Sequence, residues 1–502
     1  MANLYQSLEL IRPEIILSIA LLVLVTCDLI FHKNKKYIPY IALGGLLLTG
    51  IFVIANSGAS GFAFIQSELM GKIGLLAIDN FGTYFKALII ITSILIVFFS
   101  FSSEEIQKIT DRIGEYYALI FGMILGMFFI VSSVDLILIY LSLELMSLSS
   151  YVLAGFTKLR DRNSEAALKY LIFGAISSGL MLFGISLVYG LTGSTNLYVI
   201  NMMLQSPNAN LFTLAFANIL IFAGIGYKIS SAPFHFWTPD VYEGAPITIT
   251  AYLSVASKAA GFALLIRFIK TTYVSFVDPV GNWQLLPVFD WKSVLIVISI
   301  LTMTLGNFSA LWQNNLKRML AFSSIAHAGY LLLGLVVFSN GGMLAILIYF
   351  AIYLLMNLGA FLIVMLIANK TGSEDIDDYN GLGHSSPYIG IAMVIFLISL
   401  TGLPPTAGFI GKLYLFIALV DAKMITVAII ALLNSVVSLY YYVRVVKHMY
   451  LVKPEKEAPA VIPNLSDKIL LTVLVAPVLL LGVYFQPLVD WAKSSLEVLG
   501  LM

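Results

Sequence analysis

Four ionisable side chains lie in stretches of this sequence that offer them no water. Glu144 sits in Ile139-Tyr-Leu-Ser-Leu-Glu-Leu-Met-Ser-Leu, near the middle of an apolar run. Lys228 stands five residues before Pro233, Lys258 twelve residues past Pro246, and Lys412 seven residues past Pro404-Pro405. A charge at the centre of a bilayer costs at least ~2.5–3.5 kcal/mol on insertion scales, so such residues are rare and mark proton or ion pathways. Taking an amine out of water favours its neutral form, so a buried lysine can load and release a proton near neutral pH. A glutamate beside it restores the charged form, and moving the two apart or together would switch the proton. The chemistry these residues fit is proton transfer.

Each residue also has a plainer reading. Glu144 and Lys228 could be a static ion pair joining two helices, and Lys412, beside a break, could cap exposed carbonyls. Lys258 has no carboxylate at helical spacing in its own run, which weakens a purely structural role for it. His327, in Ser323-Ser-Ile-Ala-His-Ala-Gly-Tyr330, could relay a proton with its serine neighbours or simply pack. His235 follows a break and could steady that backbone, while His32, His384 and His448 fall in loops or at run ends. Lys86, Asp79 and Asp28 lie near run ends and are expected to reach the interface by snorkelling. Asp135 is expected at the interface too.

The elements that must hold these residues are membrane helices. Of 502 residues, 60% are hydrophobic and 11% charged, against about 25% charged in a typical soluble domain. Mean hydropathy is +0.96. Apolar runs near the ~20 residues needed to cross a bilayer recur from Pro13 to Pro487. They predict an all-α polytopic membrane protein with about fourteen spans. These lie at roughly 13–31, 37–55, 75–101, 116–133, 134–156, 166–192, 210–232, 246–270, 293–311, 319–338, 342–369, 388–420, 424–446 and 468–486. The first run, Pro13 to Phe31, lacks a basic flank and a cleavage site and reads as a retained span. The polar stretches 102–115, 371–386 and 452–468 read as surface loops, and the whole of 1–502 as one membrane domain.

Two spans carry helix breakers at depth. The seventh runs into Ser230-Ser-Ala-Pro233, and the twelfth is interrupted by Thr401-Gly-Leu-Pro-Pro-Thr-Ala-Gly408. Unpaired backbone at that depth survives only where protein or a watery cavity surrounds it. Broken helices at matching places suggest a repeat-built transporter. An offset of five spans reverses direction, so spans 4–8 and 9–13 are expected to form an inverted pair. The chain then divides into 1–115 (spans 1–3), 116–270 (first repeat), 293–450 (second repeat) and 468–486 (span 14). Two ordinary proline kinks are the alternative.

Loops after odd-numbered spans hold Lys33, Lys35, Lys36, Lys158, Arg160, Arg162, Lys317, Arg318, Arg444 and Lys447, among others. They carry roughly sixteen basic residues against about seven on the opposite side, which predicts a cytoplasmic odd side and both termini outside.

Several functions are excluded or unsupported. The single cysteine, Cys27, rules out a disulfide framework and an iron–sulfur cluster held by this chain alone. No pair of helical histidines suits a transmembrane haem, and Gly381-Leu-Gly-His-Ser lacks the features of a dinucleotide site. A net charge of +1 with no basic tail gives no sign of nucleic acid. The wealth of Met, Phe and Tyr reads as packing and lipid-facing material.

Three blocks carry a family resemblance. Pro233-Phe-His-Phe-Trp-Thr-Pro-Asp-Val-Tyr-Glu-Gly-Ala-Pro246 resembles the signature of the antiporter-like membrane subunits of complex I and their Mrp antiporter relatives. Asn315-Leu-Lys-Arg-Met-Leu-Ala-Phe-Ser-Ser-Ile-Ala-His-Ala-Gly-Tyr330 and Gly402-Leu-Pro-Pro-Thr-Ala-Gly-Phe-Ile-Gly-Lys412 are similar to two further blocks. The resemblance covers essentially the whole chain. Lacking a long lateral C-terminal helix, the chain is unlike the L branch. With a lysine at 412, where the M branch is expected to hold a glutamate, it is unlike that one as well; within the family it most resembles the N branch.

The resemblance implies that Glu144 pairs with Lys228, that Lys258 is the central relay, and that Lys412 faces the exit side. His327 and the loop acids Asp240 and Glu243 fit this scheme less closely. It also implies a proton-translocating subunit in a bacterial cytoplasmic (inner) membrane, without redox chemistry or a cofactor of its own. Flavin, iron–sulfur clusters and quinone would belong to partner subunits, and its neighbours would be other membrane subunits, lipid and protons. A stand-alone cation/proton antiporter and a purely structural membrane subunit are the competing readings.

Overall fold

A computed structural model of the chain describes residues 2–31, 35–67, 73–157, 161–205, 210–454 and 460–499. His32, Lys33, Lys158 and Arg160 lie outside the described residues. Thirteen helices among those described are long and apolar enough to cross a membrane. They are Arg12–Ile30 (span 1), Ile38–Ala55 (span 2), Asn80–Ser102 (span 3), Ile113–Ser132 (span 4), Leu136–Ala154 (span 5), Asp161–Thr192 (span 6) and Leu211–Ile229 (span 7). Then come Ile247–Tyr273 (span 8), Trp291–Ala310 (span 9), Leu316–Val336 (span 10), Asn340–Thr371 (span 11), Ile425–Leu451 (span 13) and Leu465–Val483 (span 14). The region expected to form span 12 is two helices of 15 residues, Pro387–Thr401 and Ala407–Asp421.

Polar side chains start these helices where the sequence turns from loop to apolar run. Asp79 accepts from the Gly82 amide, Asp135 from Ile137 and Leu138, and Asn315 from Arg318. Each satisfies a donor that a helix start leaves unpaired. Asp135 also accepts a 2.6 Å bond from the Thr195 hydroxyl and is buried in protein at the mouth of span 5.

One expected boundary is wrong. Residues 75–78, read as the start of span 3, belong to strand β2 (Ile73–Ile78), which pairs antiparallel with β1 (Gly61–Ser67). A short apolar run fits strand and helix equally, and here pairing with an earlier segment decided the matter. A second small hairpin, β3 (Val274–Val277) with β4 (Trp283–Leu285), follows span 8.

Spans 8, 10 and 11 form the buried centre, while spans 1, 2, 13 and 14 have few of their residues buried inside the protein. Close approach of spans 9 and 10 depends on glycine: a Cβ at Gly306 would meet the backbone of Phe322 and Ala326, and one at Gly329 that of Met303. This contact fixes the helix that carries Ser324 and His327.

Both breaks fall where the prolines predict. Span 7 ends at Ser230 in the left-handed conformation, and a short helix, Trp237–Gly244, resumes after it. The first half of span 12 ends at Gly402, also left-handed, before Ala407 restarts the helix. Protein satisfies the freed backbone. The Ala232 amide donates to Thr302 Oγ1 (2.9 Å) and the Gly408 amide to Ser399 Oγ (3.0 Å).

Local geometry also recurs between the two halves. The Leu136 amide after Asp135 donates to the Thr195 carbonyl, and the Leu316 amide after Asn315 donates to the Glu374 carbonyl, both at 2.8 Å. Asp135 bridges Asn196 as Asn315 bridges Asp375.

Candidate proton-transfer site

Lys258 follows a π-helical turn, Leu253–Ser257, that interrupts span 8. The sequence reading missed this turn; such turns are rare and often mark functional sites. It aims a fully buried ammonium at span 10, where Nζ lies 2.8 Å from both the carbonyl and the hydroxyl oxygen of Ser324. Of the two serines in this turn, Ser254 accepts a 2.6 Å bond from Asn357 of span 11. Ser257 is buried with no hydrogen-bond partner for its hydroxyl among the described residues.

One turn beyond Ser324, His327 is held between two phenols. Nδ1 lies 2.7 Å from the Tyr349 hydroxyl and Nε2 3.3 Å from that of Tyr442, which also bonds Ser323. Tyr353 packs against the ring at 5.1 Å. The Tyr330 ring lies 6.0 Å from the His327 ring and 4.7 Å from Lys412 Nζ. The three residues therefore share one polar region across spans 8, 10 and 12.

Lys412 reaches back over the break. Its Nζ donates to the Thr401 carbonyl (2.7 Å) and to Ser435 Oγ of span 13 (2.8 Å), and lies 4.7 Å from the Tyr330 ring centroid. The capping role weighed from sequence is thus present, because the last carbonyls of a half-helix want a cation. Beside it, Asn307 of span 9 accepts from Tyr441 (3.0 Å) and donates to Tyr330 (3.4 Å) and to Asn434 (3.2 Å).

Lys228 and Glu144 are not joined in this conformation. Lys228 Nζ donates to the Tyr170 hydroxyl at 3.4 Å, and Glu144 Oε1 is buried without a hydrogen-bond partner among the described residues.

Two expectations about other charges need correction. Lys86 and Asp79 do not snorkel outward. Lys86 Nζ lies 2.6 Å from Glu14 Oε1 of span 1, with both side chains buried. Asp79 takes two 2.8 Å bonds from Arg267, whose Nε donates to the Val131 carbonyl at 2.8 Å. Each lies close enough to an opposite charge in another helix for pairing inside the protein to replace a reach to the surface. Asp28 pairs with Lys35 at 2.9 Å. Sequence reading passed over Glu14 and Arg267, although Arg267 stands in Leu264-Leu-Ile-Arg-Phe-Ile and could have been flagged by the rule that flagged Lys258.

Asp240 and Glu243 lie apart from the buried lysines, in a surface cleft of about 200 Å3 shared with Arg162, Glu165, Lys169 and Arg318. Asp240 meets Lys169 at 2.7 Å and Arg318 at 2.6 Å, while Glu243 meets Arg318 at 2.8 Å and Arg162 at 3.3 Å. Partial burial pushes the Asp240 carboxyl up, but the two cations outweigh it and hold it below the usual range. His235 stacks on Phe236 beside the span 7 break. His384 bonds the Tyr450 carbonyl and His448 bonds Asn380.

Residues 133–438 match the family described as NADH:quinone oxidoreductase/Mrp antiporter, TM. The chain is 46% identical to NADH-quinone oxidoreductase subunit N 2 of Chloroherpeton thalassium, covering 97% of this chain and 94% of that protein. It is 44% identical to subunit N of Chlorobium chlorochromatii, covering 100% and 97%. Among solved structures it is similar to a chain of respiratory complex I from Thermus thermophilus, with 29% identity, a TM-score of 0.77, and 96% and 99% of the two chains covered. An Mrp complex chain from Dietzia shares the fold, at 19% identity, a TM-score of 0.80 and 97% coverage of both chains. Full-length similarity to the N branch, on a fold with broken helices and buried lysines, places this chain in the family of antiporter-like membrane subunits N of NADH-quinone oxidoreductase.

Proposed function

We propose that this chain carries protons across the membrane through Glu144, Lys228, Lys258, His327 and Lys412, driven by quinone reduction in partner subunits of a complex I-type translocase. One observation carries the reading: the Lys258 amine docks on Ser324 one turn from His327, and Lys412 lies over the Tyr330 ring, whose centroid is 6.0 Å from that of the same histidine. An amine with no carboxylate bonded to it among the described residues, set on hydroxyl and carbonyl oxygens, can give up its proton without leaving a buried negative charge unpaired. Hydroxyls of Ser323, Tyr349 and Tyr442 both donate and accept, as a proton path requires.

The finer assignments belong to the same reading. Flavin, iron–sulfur clusters and quinone sit in partner subunits, and this chain does no redox chemistry, which its single cysteine supports. The membrane is the bacterial inner membrane, with both termini outside, which the basic excess of the odd-side loops supports. Matching breaks and caps support two inverted five-span repeats.

Lys258→Met tests the proposal in the assembled complex, reconstituted in sealed vesicles. Methionine keeps the volume and removes the titrating amine, so the complex should assemble and reduce quinone with impaired pumping. Lys258→Arg should impair pumping as well, because guanidinium does not release its proton. Full coupled pumping in the Met variant would refute a relay at this position.

A further inference from the structure

Lys228 sits among three tyrosines rather than on a carboxylate. Its Nζ lies 5.5, 5.3 and 5.8 Å from the ring centroids of Tyr151, Tyr170 and Tyr227, within the ~6 Å over which aromatic rings attract a cation. The hydrogen bond it makes goes to the Tyr170 hydroxyl. These three rings come from spans 5, 6 and 7, so the cage exists only where three helices meet.

The cage is braced by its own contacts. Tyr170 stacks on Trp237 at 4.4 Å and 15°, Trp237 Nε1 donates to the Tyr227 carbonyl at 3.0 Å, and the Tyr227 hydroxyl donates to the Tyr170 carbonyl at 2.8 Å. Tyr151 meets Tyr170 edge-on at 4.7 Å, and its hydroxyl occupies space that a Cβ at Gly174 would overlap. Ser150 Oγ donates to the Tyr170 hydroxyl at 3.3 Å, which orients the phenol.

Glu144 and Tyr151 lie two turns apart on one face of span 5, roughly 10 Å along the axis. An ammonium drawn to the level of Tyr151 is therefore drawn away from Glu144, whose Oε1 is left buried and, among the described residues, unpartnered. One flexible amine thus has two places to rest, a carboxylate and a phenolic cage.

Building on the proton-transfer role proposed above, the geometry points to Tyr170 as a positioning residue, which with Tyr151 and Tyr227 holds the Lys228 ammonium in a cage apart from Glu144. The bond that the amine donates to the Tyr170 hydroxyl sets how it divides between the two sites. Without its hydroxyl, the ammonium falls back to Glu144 and the pair stays closed.

The test uses the assembled complex in sealed vesicles, measuring proton uptake and quinone reduction together. Tyr170→Phe keeps the ring and removes the hydroxyl. A hydrogen bond to a charged group is worth about tenfold in an equilibrium, so pumping per quinone reduced should fall by about that factor. In a Glu144→Gln background the competing site is gone, and Tyr170→Phe should change residual pumping by less than about twofold, a non-additivity that marks direct coupling. Equal losses in both backgrounds would show a merely structural phenol and overturn the assignment, as would full pumping in Tyr170→Phe. Tyr170→Leu should lose at least as much as Tyr170→Phe; if it fails to assemble, the phenylalanine variant decides. Lys228→Met separates the two levels. Normal pumping there would remove the transfer role itself, whereas impaired pumping there with normal pumping in Tyr170→Phe would remove only the positioning role.

Discussion

Lys258 and Ser324 meet through two contacts of 2.8 Å, one to the backbone carbonyl and one to the hydroxyl of the same serine. A lysine in the middle of span 8 is thereby tied to span 10 by uncharged oxygens. Ion pairs bury charge elsewhere in this molecule, at Glu14–Lys86 and Asp79–Arg267. The contrast separates two uses of buried charge: pairs that hold helices together, and amines left with neutral partners.

Glu144→Gln should give a complex that assembles but pumps more slowly. The substitution keeps shape and removes the carboxylate proposed to exchange with the tyrosine cage for Lys228. Proton uptake in reconstituted vesicles reads the effect, and a full rate would show the carboxylate to be dispensable.

Lys412→Met should affect structure as well as transport. It takes the donor from the Thr401 carbonyl at the end of the first half of span 12. An unsatisfied buried acceptor costs about 1–3 kcal/mol. Amide hydrogen exchange should quicken in residues 397–412 relative to the parent. Unchanged exchange there would mean that the cap carries no weight.

Asp79→Ala should be among the most destabilising single changes in the chain. It strands Arg267 without its counter-charge, a loss of about 3–5 kcal/mol for a broken buried pair. The cap on Gly82 goes with it, at about 1 kcal/mol more. Replacing both partners, as Asp79→Leu with Arg267→Met, should recover most of the loss. Thermal unfolding of the purified protein reads both, and equal losses in the single and double variants would show that stranded charge is not the cause.

The cleft around Asp240 should stabilise the fold at neutral pH and lose that contribution in acid. Lys169 and Arg318 hold its carboxyl below the ordinary value of 3.8. A depressed carboxyl contributes stability above its unfolded pKa and loses it as pH falls through the folded one. The difference in thermal midpoint between parent and Asp240→Asn should therefore be full at pH 7 and shrink only below about pH 4. A difference that vanished already near pH 6 would point to another titrating group.

Local chemistry made several features readable from the sequence alone. Apolar runs of bilayer length set the all-helical class, since backbone without water must pair within its own segment. Pro233 and Pro404-Pro405 marked the breaks because proline removes a donor wherever it stands. Glu144, Lys228, Lys258 and Lys412 stood out because a charge in an apolar run is costly whatever surrounds it. Packing alone decided the partners. Ser324 for Lys258, the tyrosine cage for Lys228, Glu14 for Lys86 and Arg267 for Asp79 each join helices far apart in the chain. The β2 strand at 73–78 likewise depended on an earlier segment lying beside it. Helix spacing places residues on a face, but which face meets which follows from close contacts such as Gly306 against Ala326. Such contacts exist only once the whole bundle has assembled.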